Sequence, residues 1–217
     1  MRGGVFDLDG TLASTAMAHL RAWELALRDL GIENVRIDLR KLLGMRAFDI
    51  ASEIAKAAGL GNEKIGELID LKTRYFDRVV FELAKPMPCA REIFLSLKAR
   101  GMKFIVVTSS LRRSAQAVLT SIGLSPDVLV AGDDVARGKP DPEPVLLALS
   151  SAGLSPSEVF AVGDTLNDVK AYRSAGIRRI YVVKGDVDVE LSDEELRPFD
   201  ARRVGTLCDV IALEGLS

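Results

Sequence analysis

The sequence predicts an α/β protein, a doubly wound parallel sheet interrupted after its first strand by a helical insert. Three observations support this. Short apolar runs alternate with amphipathic stretches from residue 86 onward, and between residues 14 and 83 only the helical period is found. The polar clusters fall just after the apolar runs, where open parallel sheets bind their ligands.

Residues 4–8 read as a short buried strand, ended by the break Asp9-Gly10-Thr11. Ser14 or Thr15 is placed to cap a helix. Met17, Leu20, Trp23, Leu27 and Leu30 follow at spacings of three and four, and Gly31 is a stop signal. Helical pattern resumes over 49–58 and 62–83. Beyond Pro86 and Pro88, helices are expected over 91–100, 113–122, 142–152 and 166–175. Strands are expected over 103–107, 128–131, 158–162 and 179–183. This alternation calls for right-handed crossovers and a parallel sheet covered on both faces. The expected division is a Rossmann-like core of residues 1–13 and 85–217 and a helical unit of residues 14–84. There is no internal repeat or low-complexity tract.

The chain has 217 residues, is 48% hydrophobic and carries a net charge of −2, from 29 basic and 31 acidic side chains. It can bury a sizeable core. No basic surplus points to nucleic acid, and no apolar stretch has the length of a membrane span. Met1 leads almost directly into an apolar run, so no signal peptide is expected. Cys89 and Cys208 have no metal-like spacing; a reducing cytoplasm and no disulfide framework are expected. Six acids between Asp186 and Glu195, with no base among them, read as a solvated loop or helix face. Asn and Gln number only four (Asn34, Asn62, Gln116 and Asn167), a depletion that points to a heat-adapted source.

Four clusters carry chemistry. Asp7 and Asp9 flank one residue after the first strand. One carboxylate can attack phosphorus and the other can exchange a proton with the leaving alkoxide; a metal-ligand pair or a capping turn would use the same residues. Thr108 and Ser109 follow the second strand, where hydroxyl and backbone N–H groups can hold a phosphate or cap the next helix. Lys139 stands in Gly138-Lys139-Pro140-Asp141-Pro142, a stiff loop able to aim an ammonium at crowded negative charge, or simply a surface loop. Asp164 and Asp168 form Gly-Asp-x-x-x-Asp at a helix start. They suit a magnesium ion, which takes few protein oxygens, or a helix N-terminus that favours acids.

Together the strings FDLDGTL, VVTSS, GKPDP and GDTLND resemble the haloacid dehalogenase superfamily, in its order and over nearly the whole chain. The resemblance implies Asp7 as nucleophile, Asp9 as general acid and base, Thr108 as phosphate ligand and Lys139 as charge clamp. It implies Mg²⁺ held by Asp7, the carbonyl of Asp9 and Asp164, with Thr11 and Asp168 behind them. The helical unit is similar to the family's mobile cap, which closes over the site and brings specificity residues. Dehalogenases in this superfamily lack the second carboxylate, so Asp9 favours phosphoryl transfer. Ser109 departs from the asparagine of many relatives.

His19, the only histidine, lies in a segment similar to the first cap helix of β-phosphoglucomutases. It can act as proton partner of Asp9 or as a hydrogen bond at the cap base. Gly44-Met45-Arg46 resembles the cap's specificity loop, where Arg46 could meet a second anionic group or remain exposed. Arg112 and Arg113 could widen the positive field or be solvated. Gly-Asp-Thr-Leu-Asn-Asp looks more like the phosphoglycolate-phosphatase pattern than the mutases' Glu-Asp. The expectation is a cytoplasmic phosphatase for a small phosphorylated metabolite. A hexose-phosphate mutase is the alternative, and a silent binding module on the same fold is a further one. Phosphonoacetaldehyde hydrolysis would need a cap lysine, and nothing marks Lys41 or Lys56. Monomer and homodimer both stay open.

Overall fold

The computed structural model describes residues 1–32, 35, 37–186 and 191–216. The first strand, β1 (Gly3–Phe6), is buried along its length, as a strand flanked on both sides must be. The chain then turns into β2 (Ala13–Ser14) and α1 (Ala16–Asp29), with Gly31 in the left-handed conformation at the stop. A 3₁₀ turn at Leu39–Leu42 leads to α2 (Ala47–Ala58) and α3 (Glu63–Leu83). Then β3 (Lys85–Pro86) brings the chain back and α4 (Ala90–Ala99) and β4 (Lys103–Val107) follow. The remaining elements are α5 (Arg112–Ile122), β5 (Val128–Val130), α6 (Glu143–Ala152), β6 (Val159–Gly163), α7 (Leu166–Ser174), β7 (Arg179–Val182), α8 (Asp193–Leu196), β8 (Arg202–Arg203) and α9 (Leu207–Leu213).

Strands order as β5-β4-β1-β6-β7-β8, all parallel. The order reverses between β4 and β6 on either side of β1, so the crevice opens at the end of β1, where Asp7 begins. Two apolar layers cover the sheet. Phe6, Phe104 and Phe160 face one way with Ile93 and Leu97 of α4 and Val118 of α5. Val5, Ile105 and Ala161 face the other, with Val145 of α6 and Tyr172 of α7. The alternation of Val5 and Phe6 is the period of two that a strand imposes.

Helices α1–α3 bury their own cluster: Trp23, Ala26 and Leu27 against Ile50, Ile54 and Leu68. The expected all-helical stretch begins instead with β2, which pairs antiparallel with β3. This two-stranded ribbon joins the helical layer to the sheet at both crossings.

Two other expectations are corrected, the second at Asp186. Cys89 and Cys208 form a disulfide, with Cα atoms 5.3 Å apart and 119 residues between them in sequence. It ties the start of α4 to α9, which pack together. Spacing alone could not show this, because the pair meets only after the sheet is wound. The acidic run is a solvated helix face at Asp193, Glu194 and Glu195, where Ser192 and Glu195 form a capping box for α8, but Asp186 departs from it and turns inward to Thr15 and Ala16. Asp188 and Glu190 lie outside the described residues. Among the described residues no helix is long and apolar enough to cross a membrane.

Candidate active site

The turn after β1 positions both leading acids. The carbonyl of Leu8 accepts the N–H groups of Leu12 and Ala13 at 2.9 and 3.0 Å, and Gly10 N–H donates to Ala13 at 2.8 Å. Gly10 has φ +84°, and a Cβ there would lie 2.3 Å from Asp164 Oδ2. Only glycine suits both demands. Asp7 and Asp9 consequently face different neighbours.

Asp7 meets Lys139. The ammonium lies 2.5 Å from Asp7 Oδ1, 2.5 Å from Asp168 Oδ1 and 3.1 Å from the Val107 carbonyl. Its three hydrogens have three acceptors. Burial works against its charge, but Asp168 and Asp7 outweigh that and hold Lys139 protonated. The loop that carries it includes a cis Lys139–Pro140 bond. Asp168 serves in two ways: Oδ1 takes Lys139, and Oδ2 accepts from Thr165 N–H (3.0 Å) and Oγ1 (2.5 Å) in a capping box. Asp164 Oδ1 accepts from Thr11 Oγ1 at 2.9 Å.

Asp7, Asp164 and Asp168 are buried with one oxygen from each within 4.8 Å of the others. Burial pushes Asp7 up to about 8 against the pull of Lys139, with Asp168 and Asp9 adding to the push. Asp164 is raised well above the carboxylate range, by burial first and then by Asp7 and Asp168. One lysine does not neutralise three clustered acids. Glycines enclose the third: Cβ atoms at Gly10 and Gly185 would lie 2.3 and 2.4 Å from Asp164 Oδ2. Hard oxygen donors, excess negative charge and a cleared approach fit a small divalent cation.

Asp9 is surrounded by donors. Thr15 Oγ1 (2.7 Å) and His19 Nε2 (3.0 Å) meet Oδ1; Thr108 Oγ1 (3.1 Å) and Ser110 Oγ (2.7 Å) meet Oδ2. Burial opposes its charge, yet His19, Thr15 and Ser110 hold Asp9 well below the usual range. Behind it, Lys72 Nζ lies 3.0 Å from His19 Nδ1. An ammonium there requires Nδ1 to accept, which puts the imidazole proton on Nε2, toward Asp9. Burial first and Lys72 second lower the His19 pKa, so the ring is neutral. Lys72 is only 4% exposed. Burial pushes it down to about 8, while Asp9 and Asp77 pull it up. Its charge also lies over the rings of Phe76 (4.5 Å) and Trp23 (5.7 Å).

Thr108 and Ser109 follow β4 as expected, and neither caps α5, whose first N–H is taken by Asp133. The Ser109 hydroxyl is buried with no hydrogen-bond partner among the described residues, a donor in waiting. These groups surround a cavity of about 60 Å³ whose helical side is lined by Leu43, Met45 and Ile50. Arg46 does not line it. Its Nη1 donates to the Ala136 carbonyl at 2.9 Å, tying the helical layer to the Lys139 loop. Arg113 is bound to Asp77 of α3, and Arg112 to Asp134. Neither arginine widens the field of the site.

Sequence reasoning passed over Lys72, read Thr15 only as a helix cap and Asp186 only as one of a run of acids, and did not connect Ser110 with Asp9. Lys72 stands in the buried stripe Ile65, Leu68, Phe76, Val80 of α3, where an apolar residue belongs. Gly185-Asp186 lies in the loop after β7, as Asp164 comes directly after Gly163 at the end of β6. Both signals were in the chain.

The family model of haloacid dehalogenase-like hydrolases matches residues 1–176. The chain belongs to the haloacid dehalogenase-like hydrolases. It is 30% identical over 195 residues to the N-acetylmuramic acid 6-phosphate phosphatase of Pseudomonas aeruginosa, covering 88% of this chain and 85% of that one. It is 31% identical over 188 residues to a phosphorylated carbohydrates phosphatase of Thermotoga maritima, covering 84% and 85%. Among solved structures, a putative β-phosphoglucomutase from Thermotoga maritima superposes with a TM-score of 0.76 at 28% identity, over 100% of both chains.

Proposed function

We propose that this member of the family is a magnesium-dependent phosphatase of small phosphomonoesters, acting through an aspartyl phosphate on Asp7. The observation that carries this reading is the pairing of a clamped carboxylate with a second acid on the other side of one turn. Asp7 is fixed by Lys139, and Asp9 is fixed by His19 and three hydroxyls.

Asp7 and Asp164, with the Asp9 carbonyl, would hold Mg²⁺, which when bound neutralises phosphate charge and keeps Asp7 ionised. Thr108 and Ser109 would bind the phosphate, and Lys139 would steady its charge. Asp7 attacks phosphorus, the ester P–O bond breaks, and the alkoxide takes a proton from Asp9. Asp9 then takes a proton from water, which attacks phosphorus and frees Asp7. In the closed site Asp9 is ionised. An arriving phosphate adds negative charge beside it and raises its pKa toward the protonated form that the first step needs. His19, neutral with its proton toward Asp9, and Lys72 form a chain along which charge at Asp9 is balanced.

The helical unit of residues 14–84 acts as a cap on the core of residues 1–13 and 85–217, supported by its own apolar cluster and its ribbon hinge. The cavity of about 60 Å³ lies between this unit and the sheet edge, so a cap that lifts and closes would admit substrate and then exclude water from the phosphate. A cytoplasmic place in a heat-adapted organism fits both the amide-poor composition and the disulfide, since intracellular proteins of such organisms carry them.

One observation favours a mutase as second reading: His19 stands on Asp9 as a dedicated proton partner. β-Glucose 1-phosphate with a trace of the 1,6-bisphosphate separates the two. Free phosphate supports the phosphatase, and net isomerisation without it would replace it by the mutase. The convergence of all the chemistry-bearing residues speaks against a silent binding module. The direct test is a phosphoester panel with and without Mg²⁺. Turnover that needs the metal is expected; no turnover of any ester would sink the proposal.

A further inference from the structure

On the cap side, the cavity holds no positive charge among the described residues. From the cap the cavity is lined by Leu43, Gly44, Met45 and Ile50, with Thr15, Ala16 and the neutral His19 at the start of α1, and the cap's arginine on this loop, Arg46, is bound outside at Ala136. The cap's buried ammonium, Lys72, faces His19 and two rings and does not line the cavity.

The start of α1, a helix of 14 residues whose Thr15 and Ala16 line the cavity, is an anion site on the cap side. It is already filled. Asp186, on the loop after β7, accepts from Thr15 N–H at 2.6 Å and from Ala16 N–H at 2.8 Å through Oδ2. The Thr15 side chain, which would otherwise cap this helix, is turned to Asp9. Asp186 also lines the cavity, so a carboxylate stands where an anionic leaving group would have to dock.

We infer that this site selects phosphomonoesters whose leaving group is uncharged, and that Asp186 is the residue that excludes anionic ones. The inference rests on the phosphatase reading and narrows it. Esters carrying a carboxylate or second phosphate on the leaving side would meet an apolar wall without a counter-charge and a fixed negative charge. An uncharged hydroxyalkyl group meets a wall it can pack against and a carboxylate able to accept its hydroxyl hydrogen. Discrimination of this kind arises from the repulsive element as much as from the attractive one.

The experiment compares kcat/KM for 2-phosphoglycolate and 2-hydroxyethyl phosphate, which share a two-carbon skeleton and differ in that charge, with Mg²⁺ present. p-Nitrophenyl phosphate is run alongside. The wild type is expected to prefer hydroxyethyl phosphate by about tenfold or more. Asp186→Asn keeps a cap for α1 and removes the charge, and its preference is expected to fall several-fold toward equality. The ratio of two substrates in one preparation is insensitive to partial unfolding. Met45→Arg, at a partly exposed wall position, is expected to raise phosphoglycolate turnover relative to hydroxyethyl phosphate. Equal or better use of phosphoglycolate by the wild type overturns the inference, and an unmoved ratio in Asp186→Asn removes Asp186 from it. Turnover of the aryl ester with either of these results leaves the phosphatase reading standing. An inert enzyme on all three esters overturns both.

Discussion

The carboxyl edge of the sheet and the helical layer above it solve the same problem, buried charge, in opposite ways. At the edge, charges are crowded and share partners: Lys139 joins Asp7 and Asp168, while Asp164 stands beside them. In the helical layer the one buried cation among the described residues, Lys72, is placed among aromatic rings with a neutral acceptor, His19. The edge is short of positive charge and is completed by a metal ion in our account. The helical layer carries a cation that is poorly solvated and can lose its proton. The difference separates a site built to bind charge from one built to respond to it.

The largest expected effect lies at the edge. Lys139→Met leaves Asp7 and Asp168 buried and uncompensated, and loss of one partner from a buried ion pair costs about 3–5 kcal/mol. Denaturant unfolding without metal should show that loss, and added Mg²⁺ should recover much of it. No recovery would break the idea that a cation completes the cluster.

The disulfide is next. Reduction, or Cys89→Ser with Cys208→Ser, releases a long loop and should cost about 3–5 kcal/mol on chain-entropy grounds. An unchanged melting temperature under reductant would mean that the pair does not bridge in solution.

For the helical layer the test is pH. Lys72 is lowered from 10.5 to about 8 on folding. The unfolded chain therefore binds more protons between those values, and stability rises with pH through that window. The wild type should gain on the order of 3 kcal/mol at most relative to Lys72→Met between pH about 8 and about 10.5. A flat difference across the window would show that Lys72 is not desolvated.

The smallest effect expected is at Arg46. Its guanidinium holds an exposed-side carbonyl, so Arg46→Ala should change kcat on esters with an uncharged leaving group by no more than about threefold. A loss of a hundredfold would return Arg46 to the substrate.

These contrasts also show what sequence could and could not reveal. Asp7, Asp9, Thr108, Lys139 and Asp164 were legible because each follows a strand and shares one edge once the sheet is parallel. The sheet itself was legible from alternation of periods. Lys72 escaped notice because a lysine within a helix is ordinarily a solvated one, and only its place in the α3 stripe marks it. Asp186 was hidden in a run of acids whose members have different fates. The disulfide depends on the docking of α9, a seven-residue helix near the end of the sequence whose packing no local pattern encodes.

The central claim is that Asp7 is the nucleophile of a metal-assisted phosphoryl transfer. Asp7→Asn keeps the shape of the side chain and removes its attacking charge. With Mg²⁺ and p-nitrophenyl phosphate, kcat of a folded Asp7→Asn protein should fall by at least ~10³-fold. Turnover at the wild-type rate would contradict the account.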